Sequence, residues 1–124
     1  MASITVVAAI TGLDEGRTED FLRVIDTLTA SGDVEVAITH VYDEEDSEKL
    51  DELFDVNLEQ PRHLDAVAEH NTAVQELKSG LDDRNVRYRT RGKIGDPVTG
   101  ILDVANDEDA DFVLIGGRKR SPAG

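Results

Sequence analysis

The sequence contains no cysteine and no tryptophan, and only 4% of its 124 residues are aromatic. Without cysteine the chain has no disulfide, no thiolate metal site and no cysteine nucleophile. Basic residues are also scarce, because 13 Lys and Arg stand against 27 Asp and Glu, which gives a formal net charge of −14. A surface of that charge repels a phosphate polyanion, so we expect no nucleic acid among the partners.

Long apolar runs are missing as well. Residues 4–10 form an apolar stretch, but it is too short to cross a membrane and no positively charged segment precedes it. We therefore interpret it as a strand rather than a signal peptide. We expect a cytoplasmic protein with no membrane partner.

The acidic composition has an uneven character, because Asp (16) outnumbers Glu (11) and Arg (9) outnumbers Lys (4). Short carboxylate side chains hold water and cations densely, and high salt screens the repulsion between them. The composition therefore favours a salt-adapted, halophilic surface, and an ordinary acidic cytosolic protein is the alternative. With 39% hydrophobic residues, the chain can still bury the core of one domain.

Strand and helix patterns alternate along the chain. Four stretches read as strands because they are apolar and β-prone or alternate in polarity: residues 3–10, 34–42, 86–91 and 112–115. Helical spacing runs from residue 18 to the Ser31-Gly32 turn, over 50–58, over 64–83, and after Gly95. The order predicts one α/β domain over residues 1–124, with a doubly wound open parallel sheet and right-handed crossovers.

The clearest helix start is Gly95-Asp96-Pro97. Asp96 can cap the free amides of the first turn, and Pro97 fits the first helical position. Four residues that follow are expected to form the buried face of this helix: Val98, Ile101, Leu102 and Ala105.

The third predicted strand carries an arginine at every second position, namely Arg87, Arg89 and Arg91. Such two-faced alternation is typical of an edge strand with one solvated side. The arginine row could hold an anion, but we expect it to pair with carboxylates of the chain's own helices.

Ligands of an open parallel sheet bind beyond the carboxyl ends of its strands, where the strand order reverses. Thr11-Gly12 follows the first strand, and Gly116-Gly117-Arg118-Lys119 follows the last. The glycines of the second loop permit a close backbone approach and its cations suit a phosphate, although the same glycines also suit an ordinary turn.

Motifs of enzymes and metal sites are missing. There is no Walker A loop, no Gly-x-Gly-x-x-Gly after the first strand and no nucleophile elbow. His63 and His70 are seven residues apart on one predicted helix, too far for a paired metal site, and His40 is expected to have a structural role in the second strand. We predict no catalytic residue and no metal ligand.

Three local matches resemble the universal stress protein family. They are Ile-Thr-His-Val-Tyr at residues 38–42, the Gly-Asp-Pro helix start with Ile-Leu-Asp-Val-Ala at residues 101–105, and Ala-Asp-Phe-Val-Leu-Ile-Gly-Gly-Arg at residues 110–118. The resemblance covers essentially the whole chain and implies the strand order 3-2-1-4-5, of which this chain would hold 3-2-1-4. With its acidic composition, this chain looks like the members of the family from salt-loving archaea.

In one subset of the family, the resemblance implies ATP or AMP bound between the first and fourth strands. The implied contacts are Ile10, Thr11, the backbone of Val41 against adenine, and the loop residues Gly116, Gly117, Arg118 and Lys119. The phosphate loop of that subset reads Gly, two residues, Gly, nine residues, Gly and Ser or Thr. Gly116 matches the first glycine, whereas Lys119 stands at the second and the final pair has no counterpart.

The resemblance also implies a homodimer. Because a fifth strand and its helix have no counterpart in this C-terminally truncated version, we expect residues 112–115 to present an open edge. Either a second chain or the remainder of a longer protein would cover that edge.

Two functions follow as expectations. The first is a cytoplasmic stress-response module that binds ATP or AMP at the carboxyl ends of strands 1 and 4 and hydrolyses it weakly at most. The alternative is a module of the same fold that binds no nucleotide and acts by dimerising and by contacting unknown protein partners. A flavodoxin-like domain would need aromatic residues near Thr11-Gly12, and a response-regulator receiver would need an acidic cluster there.

Overall fold

A computed structural model describes residues 3–10, 18–42 and 61–115 of the chain. Four strands and four helices lie in these ranges. In chain order they are β1 (Ser3–Ile10), α1 (Thr18–Thr29), β2 (Asp33–Tyr42), α2 (Pro61–Ala68), α3 (Thr72–Asp83), β3 (Arg87–Ile94), α4 (Pro97–Asp107) and β4 (Phe112–Ile115).

Within the described ranges the strands form one parallel sheet in the order β3-β2-β1-β4. This confirms the predicted fold class and places β3 at an edge. Parallel neighbours need crossover connections, and the helices supply them on both faces of the sheet. The two central strands are therefore buried on both sides, which explains their continuous apolar sequence.

The larger core lies between one face of the sheet and the helices α1 and α3. Its buried members include Ile10 of β1, Ile25 of α1, Ile38 of β2 and Leu77 of α3. The opposite face holds a smaller core around Val7, Ala37 and Val104 of α4. Side chains alternate between these two cores along β1 and β2, as the strand repeat requires.

The single helix predicted over residues 64–83 is wrong, because two helices occupy this stretch. The second begins after Asn71, whose extended backbone ends the preceding turn and whose side chain accepts a 3.2 Å hydrogen bond from the Val74 amide. Val67 and Val74 are both buried, so the apolar stripe continues across the break. His70 lies in the turn between the helices, and residues 50–58 lie outside the described part.

The third strand is longer than predicted, since it continues past Arg91 to Ile94. Its last residues pair with β2 up to Tyr42. Gly92 interrupts the alternation of polar and apolar residues but does not end the strand. The hydrogen-bonded pairing with β2 continues on both sides of it.

The capping prediction for α4 is confirmed, with Asp96 at the N-cap and Pro97 in the first turn. Its predicted buried face is wrong in part, because Val98 is 64% exposed and Leu102 is 55% exposed. The helix instead turns Gly100 and Val104 toward the sheet. A glycine allows the closest approach of the helix to the sheet. The helix therefore packs its glycine-containing side against the sheet instead of the side that carries Val98 and Leu102.

Two members of the arginine row pair with carboxylates of the chain, as expected. Arg89 contacts Glu35 and lies 3.2 Å from Glu108, and Arg91 lies 2.8 Å from Glu108 and 3.3 Å from Asp107. These pairs join β3 to β2 and to the carboxyl end of α4. Arg87 forms no ion pair with any residue in the described ranges.

Candidate functional site

The strand order reverses between β1 and β4. The chain leaves β1 toward α1 on one face of the sheet, whereas α4 on the opposite face precedes β4. Ala9 of β1 is in register with Ile115 of β4, so the two strands end at nearly the same level. Open α/β sheets bind ligands beyond the carboxyl ends of their strands, at the point where the strand order reverses.

Two of the predicted site residues, Ile10 and Val41, belong to the described part of the chain. Both lie at the carboxyl end of the sheet, on neighbouring strands. Thr11 and the loop 116–119 lie outside the described residues. The Ile10 side chain is buried in the larger core, so its contribution to this end of the sheet is its backbone.

His40 fixes the end of β1. Its buried ring donates from Nδ1 to the carbonyl oxygen of Ile10 at 2.8 Å, which assigns the proton to Nδ1 because a carbonyl can only accept. The ring also packs edge-on against Tyr42, with centroids 4.4 Å apart. His40 therefore has the structural role that the sequence indicated.

Val41 lies beyond the last residue that β1 pairs with β2 in the described part, because that ladder ends at Ile10 and His40. On the other side, Val41 is in register with Lys93 of β3. Its side chain faces α4, since a Cβ added to Gly100 would lie 2.9 Å from Val41 Cγ2. Val41 therefore lies where β2, β3 and α4 come together.

Tyr42 fixes the start of α4. Its carbonyl accepts a 2.8 Å hydrogen bond from the amide of Gly95, which has a φ of +121° and directly precedes the cap residue Asp96. Burial raises the pKa of the Tyr42 phenol to about 12, so this side chain stays neutral at physiological pH. The end of β2 and the beginning of α4 are therefore joined by a defined backbone contact.

Lys93 is a residue of this edge that the sequence reasoning missed. It is in register with Val41, and its Cβ lies 3.3 Å from the position of a Cβ added to Gly100. The signal was present, because Lys93 continues the alternate basic positions of β3. It was missed because the strand was expected to end at Arg91.

Apolar side chains are exposed at the other edge of the described sheet. Phe112 is 47% exposed and Ile115 is 68% exposed, and both belong to β4. Within the described ranges β4 has a neighbour on one side only, which is β1.

No described group of three or more His, Asp or Glu side chains is arranged to hold a metal ion. Among the described helices, none has the length and apolar character needed to span a membrane.

The sequence model described as the universal stress protein family matches residues 5–124. A comparison with curated proteins finds no match. The family match begins within β1, covers the other three strands and agrees with the observed sheet.

Proposed function

This chain belongs to the universal stress protein family, and on that premise we propose that it is a stress-response module that binds ATP or AMP at the carboxyl ends of β1 and β4. The observation that supports the proposal is the reversal of strand order between these two strands. Nucleotides of open α/β sheets bind at such a point.

The residues have different roles in this proposal. The backbone of Val41, near the carboxyl end of β2, contacts adenine. Ile10 and Thr11 contact the nucleotide where the chain leaves β1. Gly116 and Gly117 let the backbone approach the phosphates, and Arg118 and Lys119 supply cations that hydrogen-bond phosphate oxygens.

Calorimetric titration with ATP, AMP and FMN in molar KCl tests the proposal. We expect saturable heat with ATP and AMP and none with FMN, because a flavin site would need aromatic side chains to stack the ring. In the variant R118Q/K119Q, ATP affinity should fall by about tenfold or more, since two charge-assisted contacts are lost. R87Q, which removes a charge at the amino end of β3, is the control. No heat with ATP or AMP would overturn the proposal.

The module is further proposed to bind its nucleotide with weak hydrolysis at most, in the cytoplasm of a salt-adapted cell. The excess of Asp over Glu supports the salt adaptation, because molar salt screens the repulsion of a −14 surface. A melting temperature that does not rise between 0.1 and 2 M KCl would contradict it. Phosphate release faster than about one turnover per minute at saturating ATP would contradict the binding role.

A second candidate function is association through β4, which requires no nucleotide. Members of the family often dimerise, and the exposure of Phe112 and Ile115 on a strand with one described neighbour supports a homodimer here. We expect light scattering to show a dimer that I115K converts to monomer. V24K places the same charge on another exposed apolar residue, on α1, and should leave the dimer intact. A monodisperse wild-type monomer whose melting temperature is independent of concentration would exclude this candidate.

A further inference from the structure

We propose that Lys93 is a base-binding residue of the nucleotide site, where its ammonium group donates a hydrogen bond to a ring nitrogen of the bound base. The inference rests on the proposed function, since it concerns the same edge of the sheet. It adds a residue of β3 to a site otherwise built from β1, β2 and β4.

The strand register places Lys93 beside Val41. The two residues are paired across β2 and β3, and neighbouring strands lie about 4.8 Å apart. A ligand that contacts the Val41 backbone therefore comes within one strand spacing of the Lys93 backbone.

Helix α4 holds both side chains on the same face of the sheet. A Cβ at Gly100 would lie 2.9 Å from Val41 Cγ2 and 3.3 Å from Lys93 Cβ, so the helix backbone packs closely over the stems of both side chains. Lys93 is half-buried. A lysine whose stem is packed in this way extends its ammonium group toward solvent, where a ligand can reach it.

Lys93 differs from three arginines of the described part of the chain in its charge contacts. Arg84, Arg89 and Arg91 are bonded to carboxylates of the chain. Lys93 has no ion pair with any residue in the described ranges. An ammonium group carries three donors and no acceptor, so it suits a ligand atom with a free lone pair.

The distance across the sheet assigns Lys93 to the base rather than to the phosphates. β3 and β4 are the two outer strands of the described sheet, three spacings or about 14 Å apart. If the phosphates lie at the loop after β4, the base lies toward β2 and β3. The ring nitrogens of adenine, N7 among them, are acceptors for an ammonium donor.

The test compares two substitutions on the same strand. K93Q and R87Q each remove one positive charge from the same face of β3, and neither residue has an ion pair in the described part of the chain. The two positions are about 20 Å apart along the strand. Calorimetric titration with ATP and with AMP, at one KCl concentration, gives the affinities of each variant and of the wild type.

We expect K93Q to lower the affinities for ATP and for AMP by the same factor of about ten, because a charge-assisted hydrogen bond to the base is common to both ligands. R87Q should change both affinities by less than twofold. K93R keeps a charged donor and should recover most of the lost affinity, which a packing defect would not allow. The melting temperature of each variant is measured beside the affinities.

Each other outcome overturns the inference in a different way. Equal losses of nucleotide affinity in K93Q and R87Q would show that the net charge of the protein causes the loss, rather than a contact made by Lys93. A loss that is much larger for ATP than for AMP would indicate a phosphate contact. Wild-type affinity in K93Q would exclude Lys93 alone and leave the proposed function intact, whereas a wild-type protein that binds neither nucleotide would exclude both.

Discussion

The backbone amide of Gly92 donates a 2.7 Å hydrogen bond to Oδ1 of Asp65, which joins the outer edge of the sheet to helix α2. An edge strand exposes unpaired amides that can recruit another strand. Asp65 satisfies one of them with a side chain, and the same oxygen lies 3.8 Å from Arg91 Nε. Helix α2 thus covers part of the β3 edge through one carboxylate.

Substitution of Asp65 tests this contact. D65A should lower the free energy of unfolding by about 1–2 kcal/mol, because it leaves the Gly92 amide without its acceptor. D65N keeps an acceptor oxygen and should lose less than half as much. Urea denaturation at constant KCl is the measurement, since urea leaves the ionic strength unchanged. Equal losses in both variants would assign the effect to the charge instead of the hydrogen bond.

Removal of the hydroxyl from each of two buried threonines should change the free energy of unfolding in opposite directions. Thr90 Oγ1 is buried with no hydrogen-bond partner among the described residues, whereas Thr39 Oγ1 donates to the carbonyl of Ala37 at 3.2 Å. T90V should therefore raise the free energy of unfolding by about 1 kcal/mol, and T39V should lower it by about 1 kcal/mol. Both changes are isosteric and lie in neighbouring strands. A loss of stability in T90V would show that its hydroxyl is satisfied in solution.

Gly100 and Val41 should show strong energetic coupling. In G100A the new Cβ meets Val41 Cγ2 at 2.9 Å, and the branched side chain of Val41 has little rotational freedom to move aside. We expect a net loss of about 1 kcal/mol, since overpacking exceeds the gain in helix propensity. In a V41A background the same change should become stabilising. A double-mutant cycle by urea denaturation measures the coupling, and additive effects would contradict the close packing.

Asp96 should contribute a pH-dependent stability to α4. The pKa of its carboxyl is lowered from 3.8, first by the hydrogen bond from the Thr99 amide at 2.9 Å and second by the Thr99 hydroxyl. Because the folded-state pKa lies below the unfolded one, this stabilisation is complete above the unfolded pKa. It is lost as the pH falls through the folded pKa.

The melting temperatures of the wild type and D96A are compared between pH 7 and pH 3. Their difference should be constant down to about pH 5 and should shrink below about pH 4. D103A removes an equal charge from an exposed position of the same helix and serves as the control. A parallel decline in D96A and D103A would indicate a general charge effect rather than the cap.

The candidate site was only partly accessible from the sequence. Ile10 and Val41 end apolar strands whose pattern is local, and family resemblance connected Val41 with a nucleotide. Lys93 could not be connected with Val41, because a register between two strands about fifty residues apart leaves no trace in either strand alone. The loop residues 116–119 remain a prediction of the sequence.

The sequence by itself determined the kind and order of the elements and the cap of α4 at Asp96, because these depend on periodicity and on side chains that act within one turn. Tertiary structure alone decided that β3 continues to Ile94, that α4 turns Gly100 rather than Val98 toward the sheet, and that Asp65 covers an edge amide. Each of these depends on a neighbour far away in the chain. Packing and strand pairing are interactions between segments, and their free energy is defined only once both partners are in place.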